Sequence, residues 1–193
     1  MMKGKTNAGS AARSGDTLQS GIIFEAVNDE GYPTKINYKF PFSIPSGFLN
    51  SNQSNTSHLN KYCEEITVEG NFAGTGTTME YWFYHFVGKL KMKTNLIPKK
   101  FCQMAKGTNE TVPESKQKKA VWIAKTVETI ATGGNGYNSN NPFYGSEGVT
   151  IYCEATEKQP GWELYWNSAS TDSDVNLKLT VVYGVTEEEF DAL

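Results

Sequence analysis

Apolar and polar residues alternate with a period of two along most of this chain, which predicts strands rather than helices. In KINYKFPF, Ile36, Tyr38, Phe40 and Phe42 share one face, opposite Lys35, Asn37 and Lys39. GVTIYCEATE sets Val149, Ile151, Cys153 and Ala155 against Thr150, Glu154 and Thr156, and NLKLTVVYGV aligns Leu177, Leu179, Val181, Tyr183 and Val185. GIIFEAV (21–27), EEITVEG (64–70), AVWIAKTVETI (120–130) and WELYWN (162–167) extend the set. With EYWFYHFV (80–87) this makes eight predicted strands, separated by Gly, Asn, Ser and Pro segments. Only NLIPKKFCQMAKG (95–107) has room for a short helix, and Pro98 interrupts it. No internal repeat is visible.

EYWFYHFV is the most unusual stretch. On a strand, Tyr81, Phe83, His85 and Val87 point one way and Trp82, Tyr84 and Phe86 the other, and both sets are too apolar to face water. One face then belongs to a core, and the other requires a cover: loops, a second subunit or a ligand. WELYWN likewise groups Trp162, Leu164 and Trp166, with Tyr165 opposite. Rings of this kind stack on sugars, so both stretches are candidates for an interface or a ligand platform.

Three connections, 43–60, 105–119 and 132–148, exceed the roughly 12 to 15 residues that compact domains commonly allow. The third carries Tyr137, Phe143 and Tyr144 among glycines and asparagines, a composition that presents contact area while turning tightly. Residues 1–20 are rich in Gly, Ser, Ala, Thr and Asn without apolar periodicity, and read as an arm that orders only against a partner. Residues 186–193 form an acidic tail in which Phe190 and Leu193 are candidate docking residues. The domain proper is expected over 21–185.

Composition narrows the functions available. The 193 residues are 38% hydrophobic, enough for one domain with a real core. A formal net charge of −3 gives no pull toward nucleic acid, and with Arg13 as the only arginine the bidentate anchor of phosphate sites is missing. No apolar run reaches membrane-spanning length, and the N-terminal residues lack the apolar core of a secretory signal. Cys63, Cys102 and Cys153 are odd in number and widely spaced, so they read as reduced, packed thiols, with a Cys63–Cys153 bridge left open.

No catalytic or metal-binding signature is present, so neither an enzymatic activity nor a cofactor is expected. His58 with Cys63, or His85 with Cys153, would leave a metal two ligands short. Glu25, Glu64, Glu65, Glu154 and Glu163 fall on strands, where a glycosidase places its carboxylates, but strands carry such residues for solubility as well.

Eight strands with several long connections fit an all-β, antiparallel two-sheet sandwich, an eight-stranded jelly roll. Arm, eight strands and short tail together resemble the single-jelly-roll structural proteins of viruses and bacteriophages: capsid, decoration or fibre-head subunits. The resemblance is architectural, covers 21–185 with the arm in front, and has no diagnostic motif. It implies a non-enzymatic virion protein that contacts itself and other virion proteins as a homo-oligomer or lattice, without direct nucleic acid or membrane binding. The alternative is a carbohydrate- or receptor-binding sandwich module that meets a cell-surface glycan through Trp82, Tyr84, Trp162 or Trp166.

Overall fold

The computed structural model describes residues 21–44, 62–76, 83–104, 112–136, 138–172 and 177–193. The arm at 1–20 and most of the connection at 43–60 lie outside them, as do Trp82 and Tyr137.

The chain is all-β, but its strands are mostly parallel and wind into a β-solenoid of about four turns, not an antiparallel jelly-roll sandwich. One sheet holds seven strands: β1 (Gly21–Val27), β2 (Pro33–Ile44), β3 (Glu65–Phe72), β4 (Lys89–Thr94), β6 (Ala120–Ile123), β8 (Thr150–Cys153) and β10 (Thr180–Tyr183), neighbours in that order. Only β1 and β2 pair antiparallel there; every later pair is parallel. A second, three-stranded parallel sheet contains β5 (Leu96–Ile97), β7 (Thr129–Ile130) and β9 (Gly161–Trp162). From β4 to β9 each turn contributes one strand to the large sheet and, a corner later, one to the small sheet.

Two-residue alternation cannot distinguish these architectures, since a strand with one buried face looks the same whether its neighbour is parallel or antiparallel. The path of each connection decides. Here the chain travels around the turn and re-enters the large sheet one strand further on, running in the same direction.

Register stays in step from turn to turn. Ile36, Ile66, Leu90, Val121, Ile151 and Val181 form one inward column; Tyr38, Val68, Met92, Ile123, Cys153 and Tyr183 form the next. Both columns are buried except at their last members. In the small sheet Ile97, Ile130 and Trp162 face the same core. Each such side chain contributes roughly 1.5 to 3 kcal/mol by leaving water, and a one-residue slip would turn a whole column outward. The corner between the sheets is pinned by Asn95, whose Oδ1 accepts from the Phe72 amide at 2.8 Å while its Nδ2 donates to the Phe72 carbonyl at 3.1 Å.

Three predicted strands are altered. Residues 83–85 of EYWFYHFV form a turn, closed by the Phe86 amide donating to the Phe83 carbonyl at 3.0 Å. The turn sends Phe83 and Phe86 into the same core instead of to opposite faces. AVWIAKTVETI divides into β6 and β7, which belong to different sheets. WELYWN contributes only Trp162 to a strand; beyond it the backbone turns, with Tyr165 at φ 68°. A strand that was not anticipated, β4, occupies KLKMKT, and the short helix expected at 95–107 is replaced by β5 and turns over its described part.

The solenoid ends differ. At the N-terminal end β1 is the edge strand of the large sheet, joined to β2 in a hairpin whose turn is held by Asn28 Oδ1, accepting from the amides of Glu30 at 3.1 Å and Tyr32 at 2.9 Å. At the C-terminal end β10 is the last strand of the large sheet.

Candidate functional site

The outward face of the large sheet carries charge in ranks that follow the register. Lys35 meets Glu65 at 2.8 Å and Lys39 meets Glu69 at 3.4 Å, each across a parallel strand pair. β4 then presents Lys89, Lys91 and Lys93, more positive charge than β3 can balance. The balance comes from the C-terminus. A short helix, α1 (Glu187–Asp191), folds back over this face and is started by a capping box: the Glu189 amide donates to Thr186 Oγ1 at 3.2 Å and the Thr186 amide to Glu189 Oε2 at 2.8 Å.

Lys91 is the centre of the contact. Its side chain is only 5% exposed, yet Nζ lies 2.6 Å from Asp191, 3.2 Å from Glu65 and 3.3 Å from Glu187. Burial works against its charge, but the bond to Asp191 and the nearby Glu65 outweigh that and hold its pKa above the ordinary lysine value. Lys93 pairs with Glu187 at 2.6 Å, and Lys89 donates to the Asp191 carbonyl at 2.8 Å, at the helix end that favours a cation. Between these polar anchors Phe190 is fully buried against Ala120, Trp122, Ala124 and Tyr152. The Trp122 indole donates to the Val185 carbonyl at 2.9 Å. Five residues do not hold a helix by themselves, so α1 is fixed by docking. Phe190 is thus part of a packed cluster, while Leu193 is exposed.

The other residues singled out by sequence separate into core and surface. Phe86, Trp162, Trp166 and Phe143 are buried in the solenoid interior, where Trp162 and Trp166 lie with ring centroids 4.6 Å apart. The Trp162 indole is occupied, donating to the Val127 carbonyl at 2.9 Å. Tyr84, Tyr165 and Tyr144 are half-buried, and the Tyr84 ring meets His85 edge-on. None of the buried rings offers a face for a sugar.

The connection at 132–148 is tightly organised. Asn141 is fully buried; its Oδ1 accepts from the Gly133 amide and its Nδ2 donates to the Asn135 carbonyl, both at 2.8 Å. Ser168 Oγ donates to the Gly136 carbonyl. Glu163 Oε2 accepts from both the amide and the hydroxyl of Thr132 at 2.8 Å. The strand carboxylates are likewise engaged: Glu25 and Glu65 with Lys35, Glu64 with Lys116, and Glu154 with Lys125. Among the described residues no group of three or more His, Cys, Asp and Glu is placed to hold a metal. Cys63, Cys102 and Cys153 are free and buried, so Cys63 and Cys153 are not bridged.

Sequence reasoning missed two features. The lysine rank was written in KLKMKT, an alternation overlooked beside its aromatic neighbour. The second is the β10 edge of the large sheet, past which no described strand continues the inward columns. Tyr183 and Val182 of β10 are exposed, and Leu164, just after the terminal strand of the small sheet, is 72% exposed. Burial raises the Tyr183 phenol above its usual pKa, and Cys153 beside it adds to the shift.

No family model, curated protein or solved structure matches the chain. No described helix is long and apolar enough to cross a membrane.

Proposed function

We propose that this chain is a non-enzymatic structural protein that acts through subunit contacts made at the C-terminal end of its solenoid. The observation that carries this reading is the asymmetry of the two ends. One end is formed by β1, an edge strand that exposes Val27 but whose ladder with β2 is broken by register shifts between Phe24 and Ala26 and between Ala26 and Val27. The other end offers β10 with Val182 and Tyr183, and Leu164 beyond β9, to solvent. Strand edges in free-standing proteins are usually blunted by Lys, Pro or a bulge, and Thr180–Tyr183 reads TVVY.

The jelly-roll likeness that suggested a virion falls with the fold, so the proposal is the coarser one: an assembly component, in a virion or another multi-subunit structure. The glycan-binding alternative keeps only half-buried Tyr84 and Trp82, which lies outside the described residues, since Trp162 and Trp166 are core residues.

Sedimentation of extracts from the cells that make this protein tests the reading. The native chain is expected in heavy fractions and Val182→Lys at the mass of a free subunit. Native chain found only at subunit mass would overturn it.

A further inference from the structure

We infer that the C-terminal segment, residues 184–193, exchanges between copies of this chain: at high concentration it leaves its own Lys91 and seats on that of a second copy, each copy filling the other's seat. The seat lies on the outer face of β4, β6 and β8, separate from the open β10 edge, so the exchange does not depend on the contact proposed above.

The folded chain shows which ligand the seat takes. Lys89, Lys91 and Lys93 stand in a row beside an apolar patch of Ala120, Trp122, Ala124 and Tyr152. The segment answers with Glu187 on Lys93, Asp191 on Lys91, and Phe190 in the patch. Phe190 belongs to this outer cluster, and no residue of 184–193 enters the solenoid interior. The segment can therefore part from the body without opening its core.

The hinge at Gly184 has two settings. Alternation runs unbroken through Val181, Tyr183 and Val185, a pattern that continues the strand past Tyr183. β10 nevertheless ends at Tyr183, because Gly184 turns at φ 74°. Val185 is drawn back over the sheet, its amide donating to the Cys153 carbonyl at 3.0 Å and its carbonyl accepting from the Trp122 indole at 2.9 Å. Glycine takes that φ freely, and other residues do not. With Gly184 extended, the alternation is satisfied and α1 is carried beyond the end of β10, away from its own seat and toward another copy's.

Closed and exchanged forms share the same contacts at the seat, so the hinge and the concentration set the balance. In dilute solution the tethered segment holds its own seat through its high effective concentration. Crowding of copies, as in an assembly, favours the exchanged pair.

The test is light scattering on the purified full chain across a concentration series. Mass is expected to rise from one chain to two, equally in Val182→Lys, and to stay at one chain in Phe190→Ala. Gly184→Thr should dimerise at concentrations at least about tenfold lower, since a non-glycine residue is disfavoured in the closed turn. A Cβ at Gly184 meets only Thr156 Cγ2 at 4.0 Å, so this substitution acts on the backbone and adds no apolar surface. A second measurement reads the seat directly: full-length Phe190→Ala is titrated with a fluorescein-labelled peptide of residues 184–193. Saturable binding is expected, with about a hundredfold loss when the peptide also carries Phe190→Ala. A native chain that is monomeric throughout, a Phe190→Ala chain that dimerises as the native does, a Gly184→Thr chain that dimerises no more readily, or a peptide that does not bind would each overturn the exchange. A dimer lost in Val182→Lys but kept in Phe190→Ala would overturn it in favour of the β10 contact. Native chain at subunit mass in dilute cell extracts, with exchange in the concentrated series, would overturn only the β10 contact.

Discussion

Asp191 Oδ1 lies 2.6 Å from Lys91 Nζ, joining the last helix of the chain to the middle strand of the large sheet. The bond closes the outer face over Phe190 and gives a buried lysine the counter-charge it needs. It also makes the C-terminus part of the folded unit, where sequence alone had separated residues 186–193 as a tail.

Replacing Lys91 by Met should cost about 1 to 3 kcal/mol, below the 3 to 5 typical of a fully buried pair, because Asp191 and Glu187 are partly solvated. The pH dependence has a definite sign. The folded pKa is raised, so this contribution is present in full below the ordinary lysine pKa and is lost as pH rises from there through the folded value. Denaturant unfolding between pH 8 and about 11.5 should show a steeper alkaline loss in the native chain than in Lys91→Met. Parallel curves would remove Lys91 as the source.

Phe190→Ala should cost about 2 to 3 kcal/mol, at the low end for a buried phenylalanine, since α1 can detach without unravelling the solenoid. Its ring centroid is 5.5 Å from that of Tyr152, and Lys89 Nζ lies 5.7 Å from the ring centroid. Limited proteolysis should clip the variant after Val185 while the body persists; equal protection in both chains would count against docking as the source of the helix.

Gly161→Ala should destabilise by about 1 to 3 kcal/mol. A Cβ there would strike the Glu128 carbonyl oxygen, backbone of the preceding turn that cannot swing aside. Gly88 meets the Glu64 carbonyl in the same way. Unchanged urea midpoints for both alanine variants would show that the turns are less closely stacked than described.

The three thiols should be silent toward a thiol reagent at pH 8 until the chain unfolds, and then react together. Burial pushes Cys153 up to about 12 and raises Cys63 and Cys102 as well, so the reactive thiolate is scarce in the folded state. Cys63 is further engaged, donating to the Pro33 carbonyl at 3.3 Å. Stoichiometric labelling of the folded protein within minutes would contradict this.

Local structure was legible where a single face is buried. Ile36 with Tyr38, Ile66 with Val68, Ile151 with Cys153 and Val181 with Tyr183 all fall on the alternation that places them on strands. Pairing direction was not legible, because the same alternation serves either direction. The repeat was hidden for a related reason: Ala120, Thr150 and Thr180 occupy one register position, yet only the two inward places beside it must be apolar, and Val121, Ile151 and Val181 satisfy that without further likeness between the turns. Clustered aromatics misled most. Phe83 and Phe86 suggested a strand with two apolar faces, but a tight turn sends both rings inward, where Phe83 meets Phe101 at 5.4 Å. For the candidate surface, exposure at Val182 and Leu164 depends on where the winding stops, which no local pattern encodes.

The constant offset between matching positions on β6, β8 and β10 means that this molecule is measured in windings. Inserting a whole winding between β8 and β10 would lengthen the particle by one strand spacing, about 4.8 Å, and keep the inward columns in line, but it would draw Val185 and α1 one strand away from Trp122 and Lys91. Inserting part of one would throw Ile151 and Val181 out of line. The protein can therefore change its reach only in discrete steps, and each step beside β10 must give the C-terminal segment a new seat.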